Sequence, residues 1–293
     1  MPGAEKQSNG WRKIRMCKKL FLNTYFAELW KGKDPFMEAF RITGEDFRKV
    51  KARRTSRFTS GGKGYFIKLH SGIGYREYLK DLLQGKKPVT GAGQEFAALR
   101  LLHTIGVPTM QECAFGAKGA NPAYERSFLI TEELEDMCSL EELWQGKGGM
   151  ELTDPLKYVL AEKLGESAGK MHRAGLNHRD CYICHFLLDR KKYREKGEVH
   201  LHVIDLHRAQ IRKKVPKHYL VKDLAGLLFS ALDVKGMKKT LLFRFLKGYF
   251  GKGKVREILT SEEYAAIFPE KCMKAACKLY KKDFGKAPPV DLS

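Results

Sequence analysis

The segment from Asn177 to His207 constrains the fold more than any other part of the chain. It follows a long helical stretch closed by Gly175 and reads Asn177-His178-Arg179-Asp180-Cys181-Tyr182-Ile183-Cys184-His185-Phe186-Leu187-Leu188. A charged turn, Asp189 to Glu198, comes next, and then a strand, Val199 to Ile204, ending in Asp205-Leu206-His207. Strand, turn and strand make a hairpin. Its two ends hold Asp180 and Asp205 close together without forcing them to share a proton.

The flanking sequence divides into two halves. Gly61-Gly62-Lys63-Gly64 is a turn feeding a strand at Tyr65–Leu69. Phe96, Leu99, Leu102 and His103 lie on helical spacing ahead of a stop at Gly106. Strands are expected near Thr109–Phe115 and Phe128–Glu132, and Ser139-Leu-Glu-Glu142 is a capping box. After the glycines between 146 and 149, Asp154 and Pro155 supply an N-cap and a first-turn proline for a long helix. Leu156, Val159, Leu160, Leu164 and Met171 line one face of it. Strands dominate the first half and helices the second, with the break near 135–150, and 293 residues suffice for two lobes sharing a cleft.

Here the sequence resembles the protein-kinase superfamily, whose catalytic loop is His-Arg-Asp followed after four residues by a polar metal ligand, then by a hairpin and a metal-binding Asp. Phosphoryl transfer needs positioning and charge neutralisation more than covalent help. The resemblance makes Asp180 the base that accepts or orients the attacking hydroxyl's proton, and Asp205 the ligand holding Mg²⁺ between the phosphates. Lys68, in Tyr65-Phe-Ile-Lys68, stands where the family has its phosphate-binding strand lysine. Glu95 is the foremost candidate to hold that lysine and Glu77 the second. Asp223 reads either as the large-lobe aspartate that buttresses the catalytic loop or as an ordinary first-turn acid. The expected fold is α+β and bilobal: an extension over 1–25, a small β-rich lobe over 26–135 and a larger, mainly helical lobe over 136–293.

Several positions depart from that pattern. His185 replaces the metal-binding Asn, and imidazole suits transition metals better than Mg²⁺; a hydrogen bond to a phosphate or to Asp205 is the other role open to it. Phe66 replaces a small residue that normally lies against the adenine. No Gly-x-Gly-x-x-Gly precedes Lys68, which leaves Thr43–Phe47 as the phosphate-covering loop. Cys181-Tyr-Ile-Cys184-His185 also matches a haem-attachment or zinc pattern. Apolar packing by two small thiols beside a catalytic base is the favoured reading.

Charge narrows the acceptor. Lys and Arg number 55 against 34 Asp and Glu, a net +21, which favours anionic partners. The excess gathers in acid-free runs at Trp11–Lys19, Leu206–Lys222 and Val234–Arg256. Between Asp205 and Asp223 there is no Ser or Thr and one Tyr, Tyr219, and the segment is basic, with Arg208, Arg212, Lys213, Lys214 and Lys217 among its six bases. A regulated protein kinase would carry a phosphorylatable loop there; this one reads as unregulated, with an anionic acceptor bound by Arg208, Arg212, Lys213 and Lys214. The polar and then basic N-terminus shows no secretory signal, and seven cysteines without framework spacing fit reduced thiols in the cytosol.

Trp30-Lys-Gly-Lys-Asp-Pro-Phe36, Tyr65-Phe-Ile-Lys68, the stretch Asn177–Leu188 and Val203-Ile-Asp-Leu-His-Arg-Ala-Gln210 closely resemble the lipopolysaccharide core heptose kinase family, over about Phe26 to Phe250. The resemblance implies phosphorylation of an inner-core heptose by ATP with Mg²⁺, peripherally at the cytoplasmic face of the inner membrane. It implies as partners ATP, lipopolysaccharide and an anionic membrane surface, and it leaves room for a small acidic carrier protein. Three alternatives differ in their signatures. A protein kinase would phosphorylate peptides, a nucleic-acid binder would bind without ATP turnover, and a pseudokinase would not need Lys68, Asp180 and Asp205 together. No nucleic acid is expected.

Overall fold

A computed structural model describes residues 19–50, 52–85, 88–232, 237–251, 255–267 and 270–289. The basic run at 11–18 and parts of the run at 234–256 lie outside the described residues. The chain divides into two compact units, residues 1–97 with 111–133, and residues 98–110 with 134–293.

The first unit is built on an antiparallel sheet. Its elements in chain order are β1 (Lys19–Leu22), α1 (Thr24–Leu29), α2 (Pro35–Arg41), β2 (Glu45–Val50), β3 (Arg53–Ser60), β4 (Lys63–His70), α3 (Gly74–Leu83), α4 (Gly93–Thr104), β5 (Glu112–Lys118) and β6 (Arg126–Glu132), with the later turns of α4 assigned to the second unit. The six strands run in the order β1-β5-β6-β4-β3-β2. Strand alternation sends Tyr65, Ile67 and Leu69 of β4 to one face, where they are buried with Phe26, Trp30 and Phe128. Phe66 and Lys68 consequently face the other way. The sheet begins inside the stretch read as an extension, since β1 pairs with β5. Residues 43–47, expected to cover phosphates, straddle the start of β2, and the hairpin it forms with β3 reverses further on, between Val50 and Arg53. A charged sequence without glycines gave that strand no signal.

The second unit is mainly helical. It contains β7 (Met137–Ser139), α5 (Leu140–Trp144), α6 (Asp154–Arg173), β8 (Leu176–Asn177), β9 (Phe186–Asp189), α7 (Arg190–Lys196), β10 (Leu201–Val203), β11 (Gln210–Ile211), α8 (Lys217–Ala231), α9 (Lys239–Phe250), α10 (Val255–Leu259), α11 (Glu262–Ile267) and α12 (Glu270–Phe284). Both halves of the Ser139/Glu142 capping box are present. The cap of α6 is Thr153 rather than Asp154, which already stands in the first turn, and Val159 is exposed while its expected companions are buried. The charged turn at Asp189–Glu198 contains a helix instead. Asp189 caps its N-terminus by accepting from the Lys192 N–H, and Gly197, with φ 68°, ends it.

Glycines let α6 and α9 touch. A Cβ on Gly165 would stand 2.0 Å from the Phe245 carbonyl oxygen, one on Gly169 2.3 Å from that of Tyr249, and one on Gly248 2.0 Å from that of Glu162. The two short sheets, β10-β9-β7 and β11-β8, hold the loop that carries Asp180. Among the described residues no helix is long and apolar enough to cross a membrane.

Candidate active site

Asp180 lies in the loop between β8 and β9, and a buried aspartate sets that loop's shape. Asp223, 1% exposed, accepts from the His178 N–H at 2.6 Å through Oδ2 and from the Arg179 N–H at 2.9 Å through Oδ1. These bonds hold Arg179 at φ 73°, the left-handed region. That conformation costs about 1–2 kcal/mol for a residue with a Cβ, and hydrogen bonds to a charged carboxylate, at about 1.5–3 kcal/mol each, offset it. Asp223 stands in the middle of α8, which starts at Lys217, so it buttresses the loop and is not a first-turn acid.

His172 of α6 completes the support. Its Nε2 is 3.3 Å from Asp223 Oδ2 and its Nδ1 is 2.9 Å from the Tyr249 hydroxyl. A neutral ring protonated on Nε2 satisfies both, donating to the carboxylate and accepting from the phenol. Neither His172 nor Tyr249 stood out in the sequence, because nothing local marks a buried partner 51 or 77 residues away.

Behind Asp180 the two histidine rings of the loop stack, with centroids 5.6 Å apart and planes 5° from parallel. His178 is buried and donates from Nε2 to the Ile204 carbonyl at 2.9 Å, and its burial pushes the imidazole pKa down. His185 Nδ1 is 2.7 Å from the Asp180 carbonyl oxygen and must be the donor, since a carbonyl only accepts. In the neutral ring Nε2 is then an acceptor, and it faces Asp205 Oδ2 at 3.5 Å. Asp205 itself adopts φ 59° and ψ 48°, and its Oδ1 accepts from His207 Nδ1 at 2.6 Å.

With the ring neutral, two acceptors face each other there, an arrangement that a cation complements. Mg²⁺ typically takes one or two carboxylates and draws its other ligands from phosphates and water. Asp205 fits that pattern. Among the described residues there is no group of three or more His, Cys, Asp and Glu placed to hold a metal. Burial holds the Cys181 thiol pKa well above its ordinary value and that of Cys184 at about 11, which keeps both protonated and suits packing rather than ligation.

The basic residues expected at the acceptor are not alike. Arg208 Nη1 binds Asp180 Oδ1 at 2.5 Å. The Arg208 side chain is 40% exposed and that of Asp180 16%, so the cation of this pair opens to water and an incoming hydroxyl or phosphate can compete for it. Arg212 is committed elsewhere: it donates to Asn177 Oδ1 and Gln210 Oε1, tying β8 to β11, and stacks 4.4 Å over the Tyr219 ring. Lys213 and Lys214 are exposed. Half-buried Arg179 adds a further cation that sequence reasoning had not assigned to the site. Its pKa is lowered by burial and then by Arg208.

In the first unit Lys68 Nζ donates to Glu95 Oε1 at 2.5 Å. Glu95 is 1% exposed and the Lys68 side chain 23%, so the pair is fixed from its buried end and reaches solvent at the lysine. Glu77, the alternative partner, pairs with Lys80 at 3.2 Å. Phe66, on the same face of β4 as Lys68, meets Phe47 edge-on at 5.3 Å.

Residues 38–249 match the model of the lipopolysaccharide kinase (Kdo/WaaP) family. The chain is 45% identical over 264 residues to the lipopolysaccharide core heptose(I) kinase WaaP of Pseudomonas aeruginosa, covering 90% of this chain and 97% of that protein. It is 44% identical over 237 residues to the kinase of the same name from Escherichia coli K12, covering 81% of this chain and 89% of that one. Among solved structures, a chain described as WaaP in complex with acyl carrier protein superposes with a TM-score of 0.73 at 41% identity, covering 89% of this chain and 99% of that chain.

Proposed function

The chain belongs to the lipopolysaccharide kinase (Kdo/WaaP) family, and from that premise we propose that it transfers phosphate from ATP to a heptose hydroxyl of the lipopolysaccharide inner core. The observation that carries the mechanism is the placement of Asp180 and Asp205 around the stacked His178/His185 pair, on a loop pinned by Asp223. Asp180 takes the hydroxyl proton through the oxygen that Arg208 now covers. Arg208, released, and Arg179 meet the negative charge of the acceptor and of the phosphate in transit. Lys68, steadied by Glu95, binds the nucleotide's phosphates. Asp205, faced by His185, would hold Mg²⁺, whose chemistry is to neutralise charge on the phosphate oxygens. We assign the enzyme a peripheral location at the cytoplasmic face of the inner membrane, where its acceptor is made. The +21 charge supports that surface and also an acidic carrier protein of the kind bound by the solved relative.

Asp180→Asn tests the assignment. It keeps the size and the hydrogen bond but cannot accept a proton, so turnover should fall roughly 10²–10⁴-fold with nucleotide binding and the unfolding midpoint unchanged. The assay is ATP with a lipopolysaccharide lacking inner-core phosphate, the product mapped by mass spectrometry. Near-full activity in the variant would remove Asp180 from the role.

A further inference from the structure

The first unit carries a helix that buries none of its residues. In α3, Gly74–Leu83, the large apolar side chains face water: Tyr75 is 53% exposed, Leu79 53%, Leu82 48% and Leu83 88%. At about 100° per residue these four fall within an arc of roughly 100°. Tyr124, itself 55% exposed, extends the patch, its ring edge-on to Tyr75 at 5.2 Å. Asn121 donates to the Tyr75 hydroxyl and fixes that ring.

The charges on α3 are sorted as well. On the helical wheel Arg76 and then Lys80 follow the Leu83 edge of the arc, while Glu77 and Asp81 fall on the far side. Lys80 and Glu77 pair across that back face at 3.2 Å. The sequence goes on to Lys86-Lys87. An apolar arc with bases along one edge, Tyr78 along the other and the acids turned away is the pattern of a helix lying in the plane of a membrane interface.

We propose that α3 docks this protein onto an anionic lipid bilayer, with Leu79, Leu82 and Leu83 among the upper acyl carbons, Tyr75 and Tyr124 at the boundary, and Arg76 and Lys80 at the phosphate level. A second copy is a poor occupant, because two chains of +21 repel each other. A groove in a protein partner would bury the leucines but gives no reason for bases to line one edge of them while the acids point away. This inference rests on the reading of a lipid-linked acceptor, for which a helix of this kind would bring the enzyme to the surface bearing its substrate.

The test uses the full chain without ATP or acceptor, mixed with vesicles of phosphatidylcholine alone or with phosphatidylglycerol added, and read by flotation. The wild type should partition onto the anionic vesicles, and Leu79→Ser with Leu83→Ser should weaken that at least tenfold, the order expected for removing two partly inserted leucines. Leu83→Trp supplies an independent readout: its fluorescence should shift to the blue on anionic vesicles only. Unchanged partitioning of the double variant, or a tryptophan that stays in water, would overturn the proposal. So would a concentration-dependent dimer that the double variant dissolves. Phosphorylation of an acceptor stripped of its acyl chains should be equal in wild type and double variant. If the wild type fails that assay while the vesicle results stand, the kinase reading has failed and the docking helix has not.

Discussion

At the residue scale, two buried histidines give this protein an acid-sensitive interior. Burial pushes the His202 pKa down to about 4 and lowers that of His178 as well. His202 Nδ1 is buried without a hydrogen-bond partner, so protonation there gains nothing to offset its desolvation. Well above the ordinary histidine pKa of about 6.5 both the folded and the unfolded chain hold these rings neutral, and no stability depends on them. As pH falls from there towards 4 the unfolded chain binds protons that the folded chain refuses, so stability drops. The slope from one such site reaches at most about 1.4 kcal/mol per pH unit. His202→Gln should flatten the decline of the urea midpoint between pH 6.5 and 4, leaving the part due to His178. An unchanged slope would mean that His202 is not the group responsible. The sequence displayed these residues but not their environments. Lys68 and Glu95 could be matched because a lysine near a strand end and an acid in the first turn of a later helix are positional clues. The Arg208–Asp180 contact and the Asp223–His172–Tyr249 chain have no such clue, since they exist only where separate elements converge.

At the scale of elements, helix α6 shows what a sequence displays and what it hides. Its length, its early proline and most of its apolar face follow from residue order. Its partner does not. The glycines at 165 and 169 look like flaws in a helix, each costing about 1 kcal/mol against alanine. They are instead the places where the α9 backbone comes too close for a side chain. Gly165→Ala should therefore destabilise the protein by roughly 1–3 kcal/mol, because overpacking against a backbone carbonyl outweighs the gain in helix propensity. The same change at Gly93, where a Cβ would meet only the Phe115 ring at an ordinary 3.8 Å, would bring no such clash. Thermal unfolding reads the effect, and a stabilised variant would show that α6 and α9 can separate at no cost. Helix α7 hid for the opposite reason: its cap at Asp189 and stop at Gly197 were visible, but seven residues without an apolar face gave no periodicity to read.

At the scale of the whole molecule, the net charge of +21 was legible from composition alone, whereas its division of labour required coordinates. Arg212 is tied into β8–β11 and Arg208 sits on Asp180, so the exposed members of the basic segment are Lys213, Lys214, Lys217 and Lys222, the last lying 5.7 Å over the Tyr219 ring. These lysines are the ones free to meet an anionic acceptor or the surface that carries it. Each exposed base near an anionic bilayer contributes about 1 kcal/mol, over a range of about one Debye length. Lys213→Ala with Lys214→Ala should accordingly raise the KM for lipopolysaccharide by about tenfold or somewhat more at low salt, two such contributions less the screening already present. The KM for ATP and the unfolding midpoint should stay where they are, since neither side chain braces the fold. The difference between variant and wild type should shrink as salt rises, because screening weakens in the wild type the attraction that the variant lacks. Kinetics at low and high ionic strength, with nucleotide and acceptor varied separately, decide the matter. An effect confined to ATP would move these lysines to the nucleotide, and wild-type behaviour at every salt concentration would make them a merely solvated face.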